Sequence, residues 1–278
     1  MRIVKPWGLL AARRFAALSA VLLLAAPAAG YVPPVDDLIA RLAAQAPLAT
    51  SAILEYSCHV YPVTLGQGLG EAVSTQQDKG RSFRQRVYWQ RRALLAVETL
   101  AEDGTVLHVS IAENGTVQQA ALSTSRRFSD FDLHLVFHPF LEGDSSAWKS
   151  ELTFWGVTPR QTQLVLLKGA PHFRAQESPE KALWVERESL RPVQLVSAVG
   201  GGPEPLTLSI AFSDYIALVA RARDRDEETF PRKATFRING QRFKEVALGE
   251  FEVNPPARKF PLQRLRQQAA GRPPGRER

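Results

Sequence analysis

From Ala52 onward most of this chain alternates apolar with polar or small residues, and a period of two confines a chain to β-strands. Ala52, Leu54, Tyr56, Cys58 and Val60 share one side of a first strand that Pro62 ends. Phe83, Val87 and Trp89 oppose Arg84 and Arg86, and Leu107, Val109 and Ile111 follow. Asn114-Gly115 then supplies a two-residue hairpin turn into 117–121. Further on, Leu206, Leu208, Ile210 and Phe212 oppose Thr207, Ser209 and Ala211. Ala234, Phe236 and Ile238 lead into a second hairpin turn, Asn239-Gly240. The apolar phase switches around Gly249, from Val246 and Leu248 to Phe251 and Val253, which predicts a β-bulge there. Short, evenly spaced strands with turn residues between them predict a mainly β, α+β fold built on a curved antiparallel sheet.

Two segments depart from this pattern. Val35, Leu38, Ile39, Leu42 and Ala43 form one helical stripe, with Asp36 and Asp37 in the first turn. The spacing predicts a helix over Val35–Ala46, closed by Pro47. Residues 128–160 are apolar without a firm period and read as a covering segment with a short helix or two. Residues 66–82, rich in Gly, Gln and Ser, read as a loop.

The ends differ from the body. Arg2, Lys5, Arg13 and Arg14 precede an apolar run from Phe15 to Ala26, too short to cross a bilayer, and then small residues up to Gly30. Residues 1–30 therefore read as a cleaved secretory signal peptide, by the general or the twin-arginine route. Residues 257–278 carry seven Lys/Arg against Glu277 and read as a basic, disordered tail. Taking +4 for the leader and +6 for the tail from the net charge of +7 leaves 31–256 at −3. The basic balance thus belongs to the ends, and nucleic acid is not an expected partner. The domain is expected to span 31–256, as an exported monomer. Its single cysteine excludes an intramolecular disulfide, so stability must come from a core.

Catalytic patterns are sparse. Gly66-Gln67-Gly68-Leu69-Gly70 precedes no helix and lacks the lysine of a phosphate cradle. Cys58 and His59 adjoin on a strand and so point to opposite faces, which rules them out as a nucleophile–base pair. His134 and His138 have metal-pair spacing, with Asp130 or Asp132 as a third ligand, but Pro139 disturbs a shared helix face. No cofactor and no metal are expected. What remains is a large apolar surface on one curved sheet. The faces carrying Leu54, Tyr56, Leu206, Leu208, Ile210, Phe212 and Phe236 are expected to line the interior. Phe137, Phe140 and Leu141 of the covering segment are expected opposite them, with Gly143, Asp144, Ser145 and Ser146 as a hinge. A gap between the two would be an apolar cavity suited to acyl chains.

Leu183-Trp184-Val185-Glu186 followed by Leu190-Arg191-Pro192-Val193 is similar to a hairpin of the periplasmic lipoprotein carrier superfamily, that of the outer-membrane lipoprotein-sorting proteins. Phe212-Ser213-Asp214-Tyr215, Phe230-Pro231 and Phe251-Glu252-Val253-Asn254 resemble family features in the same order, after a short helix that follows a signal peptide. The resemblance implies a strongly curved, incomplete antiparallel β-barrel capped by an N-terminal helix and a covering lid segment. It implies a non-enzymatic periplasmic carrier that takes the acyl chains of lipid-modified proteins, lipids or other amphiphiles toward the outer membrane, between a membrane-associated donor and acceptor. An envelope sensor or interaction module on the same fold is the alternative, and a hydrolase using His134 and His138 is a third reading.

Overall fold

The computed structural model describes residues 31–46, 49–62, 81–113, 116–121, 137–199, 206–218 and 229–270. Residues 1–30, 63–80, Asn114-Gly115, 122–136 with His134, 200–205, 219–228 and 271–278 lie outside them, so the expected loop 66–82 falls outside except for Arg81 and Ser82, which open a strand, and the expected Asn114-Gly115 turn falls outside entirely.

One twelve-stranded antiparallel sheet organises the chain. Helix α1 (Val35–Ala44) leads into β1 (Ser51–Val60), β2 (Arg81–Gln90), β3 (Leu94–Leu100), β4 (Val106–Glu113) and β5 (Thr116–Ala121). Helices α2 (His138–Glu142) and α3 (Ser145–Phe154) come next. A second meander follows: β6 (Gln161–Leu167), β7 (Ala170–Ser178), β8 (Lys181–Glu186), β9 (Pro192–Val199), β10 (Leu206–Ile216), β11 (Phe230–Ile238) and β12 (Gln241–Val253). The two meanders join where β1 pairs with β12, so β5 and β6, consecutive in sequence, are the opposite edges of the sheet. The edges do not pair with each other, and the barrel stays open. The chain that passes from one edge to the other contains α2 and α3, and these pack with α1.

Several local expectations hold for identifiable reasons. Asn239 and Gly240 have φ of 48° and 78°, the left-handed pair that a two-residue hairpin turn requires. Between β1 and β12 the register moves from Leu54↔Phe251 to Tyr56↔Leu248, so β12 holds one residue more than β1 at Gly249 and Glu250. That extra residue is the bulge. The α1 stripe buries Leu38, Ile39, Leu42 and Ala43. Two residues of the quoted motifs bond across the fold. Tyr215 donates its hydroxyl hydrogen to the Pro192 carbonyl, and Asn254 Oδ1 accepts from the Thr50 and Ser51 amides at 2.9 and 3.3 Å.

The tail is a correction. Residues 257–270 are folded: a 3-10 turn, Ala257–Lys259, leads into α4 (Leu262–Ala269). Phe260, Leu265 and Ala269 pack with Tyr88, Leu94, Ala96, Val109 and Ile111 in a second small core on the outer face of the sheet. Charge fixes the helix there as well. Arg264 Nη2 donates to Glu98 Oε2 at 3.0 Å, and Arg266 Nη2 donates to Glu113 Oε1 at 2.6 Å. A mixed polar and basic composition hid a stripe that needs only three side chains, because the sheet supplies the rest.

Candidate functional site: the concave face and its cover

The residues expected to line the interior are packed together in one core. Leu54 and Tyr56 come from β1, Leu206, Leu208, Ile210 and Phe212 from β10, and Phe236 from β11; all belong to one buried cluster with Phe137, Phe140 and Leu141. Each of these is at most 8% exposed, so this state holds packed side chains on the concave face. Aromatic rings make the contact between sheet and cover. Phe137 stacks on Tyr56 with centroids 5.0 Å apart and planes 5° apart. Phe140 meets Phe212 edge-on at 5.5 Å and Trp148 at 4.8 Å. Phe230 of β11 touches both Phe137 and Phe140. Phe236 lies away from this group, against Trp155 and Phe243.

One carboxylate fastens the cover. Glu142, at the C-terminal end of α2, accepts from Trp89 Nε1 at 2.6 Å and from the Arg92 amide at 3.3 Å, and pairs with His138 Nε2 at 3.1 Å. Burial alone would raise its pKa, but the His138 and Trp89 hydrogen bonds and the Arg92 amide outweigh it, leaving Glu142 below its ordinary range. Arg91 Nη2 also donates to the Leu141 carbonyl at 3.5 Å. The expected hinge is the α2–α3 joint. Gly143 has φ 66°, and a Cβ there would stand 3.2 Å from Ala46 Cβ, so glycine serves both the turn and the close approach of α1. Asp144 caps α3 by accepting from the Ser146 amide at 2.9 Å.

The inner face is not uniformly apolar. Near one end of β1, Cys58 Sγ lies 3.4 Å from Gln85 Oε1, and Thr99 is buried beside them on β3. Lys244, 6% exposed, holds its ammonium 5.8 Å from the centroids of both Phe83 and Phe236. The Tyr56 hydroxyl is buried with no hydrogen-bond partner among the described residues, and burial first, then Cys58, pushes its pKa well up. Cys58 and His59 do face opposite ways, for His59 Nδ1 reaches Ser82 Oγ at 2.7 Å on the outer face. His59 borders an outer depression of about 410 Å³ together with Arg84, Glu102 and Glu245. His138 is committed to Glu142, and the described residues contain no cluster of three or more metal-ligating side chains.

Sequence reasoning missed Glu142, Trp148, Trp155 and Phe230. A single acid directly after the largely apolar run Phe137–Leu141 was the available signal for Glu142, since such a group is buried only with partners.

No family model matches the chain, and no curated protein does. Solved structures do. A LolA superfamily protein from Nitrosomonas europaea aligns with a TM-score of 0.50 at 9% identity, over 82% of this chain and 96% of that one. A putative outer membrane lipoprotein-sorting protein domain from Vibrio parahaemolyticus aligns at 0.48 and 11% identity, over 83% of this chain and 97% of that one. At such identities the likeness speaks for architecture, and the chain has the open, curved antiparallel fold of a LolA superfamily protein.

Proposed function

We propose that this protein is a periplasmic, non-enzymatic carrier that takes acyl chains of lipid-modified proteins or other amphiphiles onto its concave face, in place of the α2–α3 cover. The observation that carries this reading is that the cover fills the concave face with the side chains of a separate segment strung between the two sheet edges. Phe137, Phe140 and Leu141 stand where cargo would lie. Displacing α2 and α3 exposes Phe137, Phe140, Leu141, Trp148 and Leu152, which costs about 8–15 kcal/mol at 1.5–3 kcal/mol each. An acyl chain of ordinary length returns about 12 kcal/mol, at 0.8 kcal/mol per methylene. Cover and cargo are therefore of comparable weight on the concave face, whereas displacing a strand would also cost its ladder. The fold likeness supports the reading, and the described residues contain no helix long and apolar enough to cross a membrane.

The packed interior favours a second reading, an envelope sensor or interaction module that never opens. One experiment separates them. Full-length mature protein is titrated with a brominated fatty acid and with a diacylated lipopeptide, and indole fluorescence is followed. Trp148 and Trp155 lie against the proposed path, so a carrier shows saturable quenching, and native mass spectrometry shows bound acyl lipid. A protein that neither quenches nor retains lipid is the interaction module.

A further inference from the structure

β6 is an edge strand with no neighbour on its outer side among the described residues. Lys168 and Gly169 have φ of 52° and 83°, a two-residue hairpin turn closed by Leu167↔Ala170. In such a hairpin the closing pair is hydrogen-bonded, and the alternation then directs the backbone groups of Leu167, Val165 and Gln163 toward β7. Those of Thr162, Leu164 and Leu166 point to the open side. The neighbouring strand agrees: the carbonyl of Pro171, opposite Leu166, accepts from the Arg187 amide at 3.2 Å, away from β6. Among the described residues no strand lies beyond β6.

Natural sheets blunt such edges with charge or proline, because an unpaired ladder invites another strand. Gln161–Leu167 carries neither. It ends in the run Leu164–Leu167, and Leu166 is 74% exposed. Charge stands only at the two ends, where Arg160 and Lys168 are both exposed. A second copy is a poor occupant. The two-fold register that overlaps the whole strand centres on Leu164 and sets each Arg160 against the other copy's Lys168, and like charges directly opposite are destabilising.

We propose that β6 binds an extended polypeptide segment of a partner protein by strand addition, the segment being uncharged and β-branched in its middle and carrying a carboxylate near each end. Backbone pairing at Thr162, Leu164 and Leu166 supplies the attachment. Alternate apolar side chains of the segment lie beside Leu164 and Leu166, and its carboxylates meet Arg160 and Lys168. This surface is independent of the acyl-carrier reading and stands or falls without it.

The probe is the acetylated peptide amide Asp-Ser-Val-Thr-Val-Thr-Val-Ser-Asp, added to the full mature chain and followed by anisotropy and amide hydrogen exchange. Binding should slow exchange at Thr162, Leu164 and Leu166 and leave the β1–β12 seam unchanged. Leu164→Pro removes an outward amide without costing a β7 bond, and Leu166→Lys places a charge on the edge; each should weaken binding about tenfold or more. The same peptide with Lys in place of both Asp residues should bind roughly threefold more weakly or worse. Unchanged exchange at those amides, full binding by Leu166→Lys with its fold intact, or indifference to the peptide's charge would overturn the proposal. Protection of the three amides that grows with protein concentration and no peptide would overturn it in favour of self-pairing.

Discussion

The indole Nε1–H of Trp89 donates to Oε1 of Glu142 across 2.6 Å, joining β2 to the last residue of α2, with both side chains buried. Trp89 lies on the inner face in line with Val87, so this bond is the point where the sheet interior and its cover share a charged group. A buried carboxylate needs its donors, and here it has three, two from the hairpin between β2 and β3 and its flank, and one from its own helix.

Trp89→Phe keeps the ring and removes the donor. Glu142 then loses its only indole partner while remaining buried, which should cost about 1–3 kcal/mol. The loss should be local, so amide exchange in α2 and α3 should accelerate while β10 and β11 stay protected. Uniform acceleration across the sheet would mean that the bond supports the whole core and not the cover alone.

How far the sequence discloses this arrangement depends on how many faces of a strand are wet. β1 and β10 show clean alternation because one face meets the core and the other meets solvent, and the lining residues on them could be named at once. β3 could not be read, since Ala96 and Glu98 are buried on the outer face while Val97 and Thr99 are buried on the inner one. The burial of that outer face and the unforeseen α4 are one fact: the Phe260, Leu265 and Ala269 stripe dries the side of β3 that would otherwise have been polar. β6 failed for the opposite reason, being an edge with partial exposure on both faces. The cover resisted because α2 has five residues, too few to display a helical period. The bond that fastens it joins positions 53 apart in sequence, which no local pattern records.

Acid should release the cover. Glu142 is held below its ordinary pKa in the folded protein, so its contribution to stability is fully present above the unfolded-state pKa and fades as pH falls through the lower folded value. Exchange in α2 and α3, and acyl binding if the carrier reading holds, should therefore change as pH falls below the usual carboxylate range. Glu142→Gln retains a carbonyl acceptor for Trp89 but has no carboxylate to titrate, so the acid step should shrink in that variant. An acid transition of equal size in Glu142→Gln would assign it to other carboxylates.

Phe140→Ala distinguishes a lid from an ordinary core element. Phe140 contacts Phe212, Phe230 and Trp148, and truncation should cost about 3–5 kcal/mol of folding stability by denaturant titration. In a carrier the same change also lowers the work of displacing the cover, so acyl affinity should rise, with quenching by the brominated fatty acid saturating at lower concentration. Reduced stability with no gain in affinity would favour the permanently closed reading.

The C-terminal helix yields the sharpest stability prediction. Glu98 is fully buried on the outer face, and its Oε2 accepts from Tyr88 Oη at 2.9 Å and from Arg264 Nη2 at 3.0 Å. Arg264→Ala removes the cation paired with Glu98 and leaves the carboxylate to the Tyr88 hydroxyl, with Arg86 opposite it on β2. Breaking one side of a buried pair commonly costs 3–5 kcal/mol; with Arg264 partly exposed and Tyr88 still donating, about 2–3 kcal/mol is expected. Glu98→Gln together with Arg264→Ala should recover much of that loss, because a neutral amide is cheaper to bury than an unpaired charge. The pair should be measured as a double-mutant cycle by urea denaturation. Deleting 257–278 is a harsher version of the same change, since it exposes Tyr88, Ala96 and Ile111 as well as stranding Glu98. A truncated chain as stable as the full one would show that the segment rests on the sheet without holding it together.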